Sequence, residues 1–320
     1  MPPPDSSADH PRRLLAGLGI SPSRRRGQNF LHDGNIARKI VAAAREMGPP
    51  FLEIGPGLGA LTSLLASAEG KTVAVEVDRR LAAYLRERFA GSAVEVVEAD
   101  VLSVPEEEWR RRFPGGGTVV GNLPYSLSSP IVLRLMELRE RFPRAVLMLQ
   151  KEVVERLCAS PGGKEDGTLS VYLSVLAYAR PEFSVRRTCF TPVPEVDSAV
   201  LSIRFRQGIP DPLLRKLQAV VRAAFARRRK TLKNAPVPFL AGGTKEWCDL
   251  LSRAGIDPSA RAEAVPPDRY LLLARAVPPG RNLRPCARVR VRPGNRAALR
   301  RLRKECSGLS RAPPNKINRT

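Results

Sequence analysis

A chain of 320 residues with 43% hydrophobic content can bury the core of one large domain and of a small second one. Its 54 Lys and Arg against 31 Asp and Glu give a formal net charge of +23, which points to a polyanion. No apolar run spans a membrane, so nucleic acid leads over lipid.

Residues 1–23 open on Met1-Pro2-Pro3-Pro4 and lack the apolar stretch of a secretory signal. A disordered N-terminus and a cytoplasmic protein are expected. Five cysteines without a C-x-x-C pair, with only His10 and His32, argue for free thiols and against a zinc site. From Asn35 to Glu46 apolar residues recur at helical spacing. Short β-prone runs follow at 51–54, 72–77, 94–98, 118–121, 145–149, 169–176 and 199–205. Helical patterns fall among them at 60–68, 79–89, 130–139 and 152–159. This alternation predicts an α/β, Rossmann-like, mostly parallel sheet covered on both faces. The last two runs have no helix between them, so an antiparallel edge hairpin is expected. The main domain should cover residues 24–207. After Gly208-Ile209-Pro210 only helical periodicity remains, predicting a small all-helical domain over 208–278. Residues 279–320, rich in Arg, Pro and Gly, read as a basic disordered tail.

Three motifs carry chemistry. Glu53-Ile54-Gly55-Pro56-Gly57-Leu58-Gly59 closes the first β run and opens a helix, where glycines let the backbone turn sharply and approach a ligand. The bland alternative is a plain strand–helix turn. Glu76 closes the second run, at the position that meets ribose hydroxyls in nucleotide-binding folds. Asp100 follows the third run, and could equally be a helix cap. The Gly spacing differs from the nicotinamide pattern, and Glu53 would repel a pyrophosphate. A sulfonium suits an acidic pocket better, so S-adenosylmethionine is the expected cofactor. Asn122-Leu123-Pro124-Tyr125 ends the fourth run. It offers an amide, a Pro-bounded carbonyl and a ring, the groups needed to hold and stack an extruded nucleobase amine. Read alone, it is also an ordinary turn.

Together with Gly27-Gln28-Asn29-Phe30-Leu31, Phe190-Thr191-Pro192-Val193-Pro194-Glu195-Val196-Asp197-Ser198 and Arg228-Arg229-Lys230-Thr231-Leu232, these motifs resemble the ribosomal RNA adenine N6-dimethyltransferases. The resemblance runs from about Arg24 to Ala276 and fits the bacterial small-subunit branch best. Macrolide-resistance relatives usually show Ile at the position of Leu123 and Asn at that of Asp197. The resemblance implies a class I methyltransferase sheet with a small C-terminal helical domain. It implies dimethylation of N6 on two adjacent adenosines near the 3′ end of small-subunit (16S) ribosomal RNA, in small-subunit biogenesis. It assigns Asn29, Leu31, Gly55, Gly57, Glu76, Asp100 and Asn122 to the cofactor. Asn122, Leu123, Pro124, Tyr125 and Phe190 fall to the target base, with Tyr125 and Phe190 as the two stacking rings; the alternative for Phe190 is plain core, which the proline-stiffened Thr191-Pro192-Val193-Pro194 disfavours. No Cys or His is placed for a covalent intermediate, so direct in-line transfer to a flipped-out base is the expected mechanism.

RNA contacts are expected from Arg24-Arg25-Arg26 and from Arg222, Arg227, Arg228, Arg229, Lys230 and Lys233, although such runs are often solvated faces. Asp166 stands where relatives usually carry an aromatic residue. The expected partner is small-subunit RNA or a pre-30S particle, met by a monomer. The alternatives are a large-subunit methylase conferring macrolide resistance, and a non-catalytic assembly factor.

Overall fold

The strands β2 (Phe51–Ile54), β3 (Thr72–Glu76) and β5 (Thr118–Asn122) are buried almost throughout, as strands covered on both faces must be. They form the centre of the sheet in the computed structural model, which describes residues 9–22, 27–67, 70–159, 167–227 and 229–278. β4 (Val94–Glu98) lies outside β3. β6 (Arg144–Gln150), β9 (Ser198–Phe205) and β7 (Ala177–Val185) extend the other side, giving the order β4-β3-β2-β5-β6-β9-β7. The first five of these are parallel to their neighbours, and β9 is antiparallel to both β6 and β7.

One face is covered by α2 (Gly34–Met47), whose Ile40, Val41, Ala44 and Met47 pack with Phe51, Val120, Val146 and Val200. Asp33 starts this helix: its carboxylate accepts the Asn35 N–H at 2.8 Å and the Ile36 N–H at 3.1 Å. The other face carries α6 (Ser128–Glu137) and α8 (Thr168–Leu176). A short charged helix, α5 (Glu106–Arg112), is anchored by Trp109 against the Phe142 ring, with centroids 5.8 Å apart.

Two expectations fail. Residues 169–176 are helix, and the edge strand begins only at Ala177. Six of the nine residues of α8 are buried and none is exposed, so the run has no solvent face and periodicity cannot separate it from a buried strand. The expected antiparallel hairpin is present, shifted by one element. Where disorder is expected over residues 1–23, Asp9–Gly17 form the helix α1, while residues 1–8 and 23 lie outside the described residues. Leu15 of α1 and the following Ile20 are buried with Phe30, Leu58 and Leu81, and Arg80 donates to the Gly19 carbonyl at 2.5 Å. Two apolar anchors in a Pro-flanked stretch are too few to read as a period, yet they suffice once a surface is there to receive them.

The helices α9 (Asp211–Phe225), α10 (Gly243–Arg253) and α11 (Pro267–Ala276) pack together and onto α8. The hydrophobic cluster runs unbroken from the sheet into them. Tyr172 donates its hydroxyl to the Gln218 carbonyl at 3.0 Å. Arg139, only 1% exposed, bonds the carbonyls of Met136 and Ile209 and pairs with Asp211. The Arg24–Arg26 run, Asp166, Arg228 and the tail from 279 lie outside the described residues.

Candidate active site

In a parallel ladder, paired residues share a face. Glu53 pairs with Ala74 and with Val120, so Glu76 and Asn122, each two residues further along, point to the same side as Glu53. Three polar side chains thereby converge at the carboxyl edge of three neighbouring strands, where open α/β sheets bind ligands. They line a cavity of about 630 Å³ together with Gly55, Gly57, Asp100, Leu123, Pro124 and Tyr125, a size suited to a small organic ligand. Asn29 and Leu31 belong to the same wall.

Gly55 and Gly57 both have positive φ, 67° and 57°, and a Cβ at Gly57 would stand 3.0 Å from the Phe30 ring. No other residue type fits there without strain. The Gly57 N–H donates to Glu76 Oε2 at 3.2 Å and the Asp78 N–H to Glu76 Oε1 at 2.9 Å, which fixes the carboxylate against the loop. Burial pushes the Glu76 carboxyl above its usual range. The Glu53 carboxyl is pushed up to about 8, chiefly by burial and partly by the charge of Glu76, with Thr62 pulling the other way. Its Oε2 has no hydrogen-bond partner among the described residues. A buried carboxyl with an unused oxygen in a cavity wall fits a cationic ligand. Asp100 accepts the Leu102 N–H at 3.0 Å, so it caps its own turn while lining the pocket.

The Asn122 side chain donates to the Asn29 carbonyl at 3.0 Å, leaving Oδ1 as an acceptor. Segment 29–31 is held over the pocket by this bond and by a two-residue ladder, β1 (Phe30–Leu31) against β8 (Phe190–Thr191). The Pro124 carbonyl already accepts the Leu127 N–H at 2.9 Å and the Ser128 hydroxyl at 3.3 Å. Among the described residues this leaves the Leu123 carbonyl as the free acceptor of the turn. Tyr125 shares a hydrogen bond with the Ser198 hydroxyl at 2.9 Å, which fixes its ring in the wall.

Phe190 is the exception. Expected as a second stacking ring, it is fully buried with Leu31, Ile40 and Val185, outside the pocket wall. Its ladder partner is Leu31, and the ring itself packs into the cluster under α2. Phe190→Ala is therefore expected to cost about 3–5 kcal/mol of stability. Phe190→Leu should keep methyl transfer within a few-fold of the parent while lowering the melting temperature. A large turnover loss in Phe190→Leu at unchanged melting temperature would place the ring on the base instead.

Phe30, Leu58 and Leu81 also line the cavity; the motifs that hold Phe30 and Leu58 give them no role of their own, and Leu81 lies in no motif. Their apolar spacing reports burial, and the ligand side of a buried wall looks the same as its core side. Of the basic residues, Arg227, Arg229, Lys230 and Lys233 are exposed beside the C-terminal helices. Arg222 is half-buried and bonds the Gln218 carbonyl at 3.1 Å.

A mostly parallel sheet with an acidic, glycine-floored pocket over the carboxyl ends of its central strands defines a Rossmann-like class I methyltransferase domain. The chain belongs to the ribosomal RNA adenine dimethylase family, whose model matches residues 21–277. It is 42% identical over 280 residues to the ribosomal RNA small subunit methyltransferase A of Geobacter sulfurreducens, covering 82% of this chain and 98% of that one. The corresponding protein of Pelotomaculum thermopropionicum is also 42% identical, over 82% of this chain and 94% of its own. Among solved structures, a dimethyladenosine transferase from Plasmodium falciparum superposes with a TM-score of 0.63 at 26% identity, covering 76% of this chain and 95% of that one. The 23S rRNA methyltransferase ErmE gives 0.57 at 29%, covering 78% and 99%.

Proposed function

We propose that this chain dimethylates N6 of two adjacent adenosines near the 3′ end of small-subunit ribosomal RNA, acting on a flipped-out base during subunit assembly in the cytoplasm. The observation that carries the chemistry is the Asn122 amide in the pocket wall: its N–H₂ is engaged by the Asn29 carbonyl, which leaves its oxygen to act as an acceptor. The choice of subunit rests on the small-subunit relatives at 42% identity and on Leu123 and Asp197, which depart from the macrolide-resistance pattern.

The cavity fits S-adenosylmethionine, which supplies an activated methyl group when bound. Glu53 would offer its unused oxygen to the cationic part, Glu76 would accept ribose hydroxyls, and Asp100 would face the adenine. Gly55 and Gly57 let the backbone come close. On the opposite side, Asn122 Oδ1 and the Leu123 carbonyl accept the two N–H groups of the target amine. An aryl amine is a poor nucleophile because its lone pair is delocalised into the ring. Two acceptors in the plane of the N–H bonds orient that lone pair and stabilise the charge that develops on nitrogen. Tyr125 stacks on the base, worth about 1–3 kcal/mol.

The test is transfer of labelled methyl groups to under-methylated small subunits, followed by mapping of the modified bases. Label on N6 of adjacent adenosines in the small-subunit RNA is expected. Label confined to large-subunit RNA would overturn the choice of substrate, and binding without any transfer would favour an assembly factor.

A further inference from the structure

Across three neighbouring strands, one row of side chains is basic. Arg144 of β6 pairs with Arg204 of β9, and Arg204 pairs with Tyr178 of β7. Cross-strand partners project to one face, so two arginines and a tyrosine stand side by side in one row. Tyr178 is 67% exposed. Arg206, two residues beyond Arg204 and so on the same face, places its guanidinium 4.5 Å from the Tyr178 ring centroid.

Like charges directly opposite one another destabilise a sheet, and among the described residues no acid forms an ion pair with Arg144, Arg204 or Arg206. Glu182 of β7 is taken by Arg180 at 2.8 Å and by the Ser202 hydroxyl. Arg144 has a structural setting of its own, because its guanidinium lies beside Gly48 at the C-terminus of α2, where the helix dipole favours a cation. Arg204 and Arg206 have no such setting. Nor are they explained as guards against edge-to-edge pairing, since Arg204 sits on β9, an interior strand, and the edge is β7.

We propose that Tyr178, Arg204 and Arg206 form a second RNA contact surface, with phosphates held by the two guanidinium groups and an unpaired base stacked on the open face of Tyr178. Exposed guanidinium groups without acidic partners and an exposed ring are the two elements that hold single-stranded RNA. The row lies at the amino end of β6, whereas the pocket opens at the carboxyl ends of the strands. The strand length separates them by roughly 20 Å, so this surface grips a part of the RNA remote from the target base. The inference rests on the reading of the chain as an RNA methyltransferase.

The test titrates a fluorescently labelled single-stranded RNA of mixed sequence with the full chain at several salt concentrations. The double variant Arg204→Glu, Arg206→Glu should bind about tenfold more weakly or worse, and its slope of log affinity against log salt should shrink by about 1.4, near 0.7 per lost phosphate contact. Tyr178→Ala should lose about fivefold to 150-fold at every salt concentration with the slope unchanged. All variants are surface changes and should keep parental S-adenosylmethionine binding. Unchanged affinity and slope in both would overturn the proposal. It is equally overturned if the double variant keeps RNA affinity but loses binding to under-methylated small subunits, which would point to a protein partner. If the parent shows these RNA effects yet methylates no adenine, the surface stands and the proposed function falls.

Discussion

Asn122→Ala is expected to lower the turnover number by about 10²–10³-fold, the usual loss on removing one preorganised hydrogen-bonding group from the site of charge development. The substitution removes the Oδ1 acceptor and also the bond to the Asn29 carbonyl. That bond is worth about 1 kcal/mol to the fold, so the variant should melt only slightly below the parent. Asn122→Asp separates the two roles, because it keeps an acceptor at the same place but cannot donate to the Asn29 carbonyl. It should retain more activity than Ala while loosening segment 29–31. Single-turnover transfer to under-methylated small subunits, with melting curves alongside, checks both. Near-parental turnover in Asn122→Ala would refute the orientation mechanism.

The second large effect concerns Glu53 and the pH dependence of stability. Its carboxyl titrates near 8 in the fold against a usual 4.5, so between these values the folded chain holds one proton that the unfolded chain has released. Stability from this group is therefore full below pH 4.5, declines as pH rises, and reaches its lowest value above about pH 8. At about 1.36 kcal/mol per pH unit the decline is of the order of 5 kcal/mol. Glu53→Gln removes it. The ligand-free variant should match the parent near pH 5 and melt about 10 °C higher at pH 9, taking roughly 2–4 °C per kcal/mol. The same variant should bind S-adenosylmethionine more weakly, since the neutral amide cannot meet a cation. Melting curves across pH, with calorimetric titration of the cofactor, measure both. A stabilisation equal at all pH values would mean that the carboxyl is not the group that titrates.

Stability gained with binding lost is the signature of a residue kept for its ligand. Glu53 stands fully buried beside Glu76, an arrangement that no packing argument favours. The physical account of the pocket is that burial holds the Glu53 carboxyl largely protonated without a ligand, and that a cationic ligand offsets the cost of ionising it.

Much of the acidic, glycine-rich side of the pocket was legible in the chain. Strand periodicity located β2, β3, β4 and β5, and a residue closing a parallel strand must lie at the carboxyl edge of the sheet. Glu53, Gly55, Glu76 and Asp100 could therefore be placed together before any coordinates. The Gly-rich turn was readable for the same local reason, since positive φ at Gly55 and Gly57 leaves a compositional trace. The helix at 168–176 was not readable, because a run buried on all sides carries no period that separates helix from strand.

By itself, then, the sequence determined the alternation of elements, the acidic and glycine-rich edge, the Asn-Leu-Pro-Tyr turn and the excess of positive charge, all set by short-range pattern and composition. Only the tertiary structure decided what crosses between distant segments. It tied Asn122 to Asn29, 93 residues away, and packed Phe190 into the core beside Ile40 and Val185. It also brought Arg204 and Arg206 beside Tyr178. These are long-range pairings, and register and facing depend on which strands become neighbours, which no local window of residues encodes.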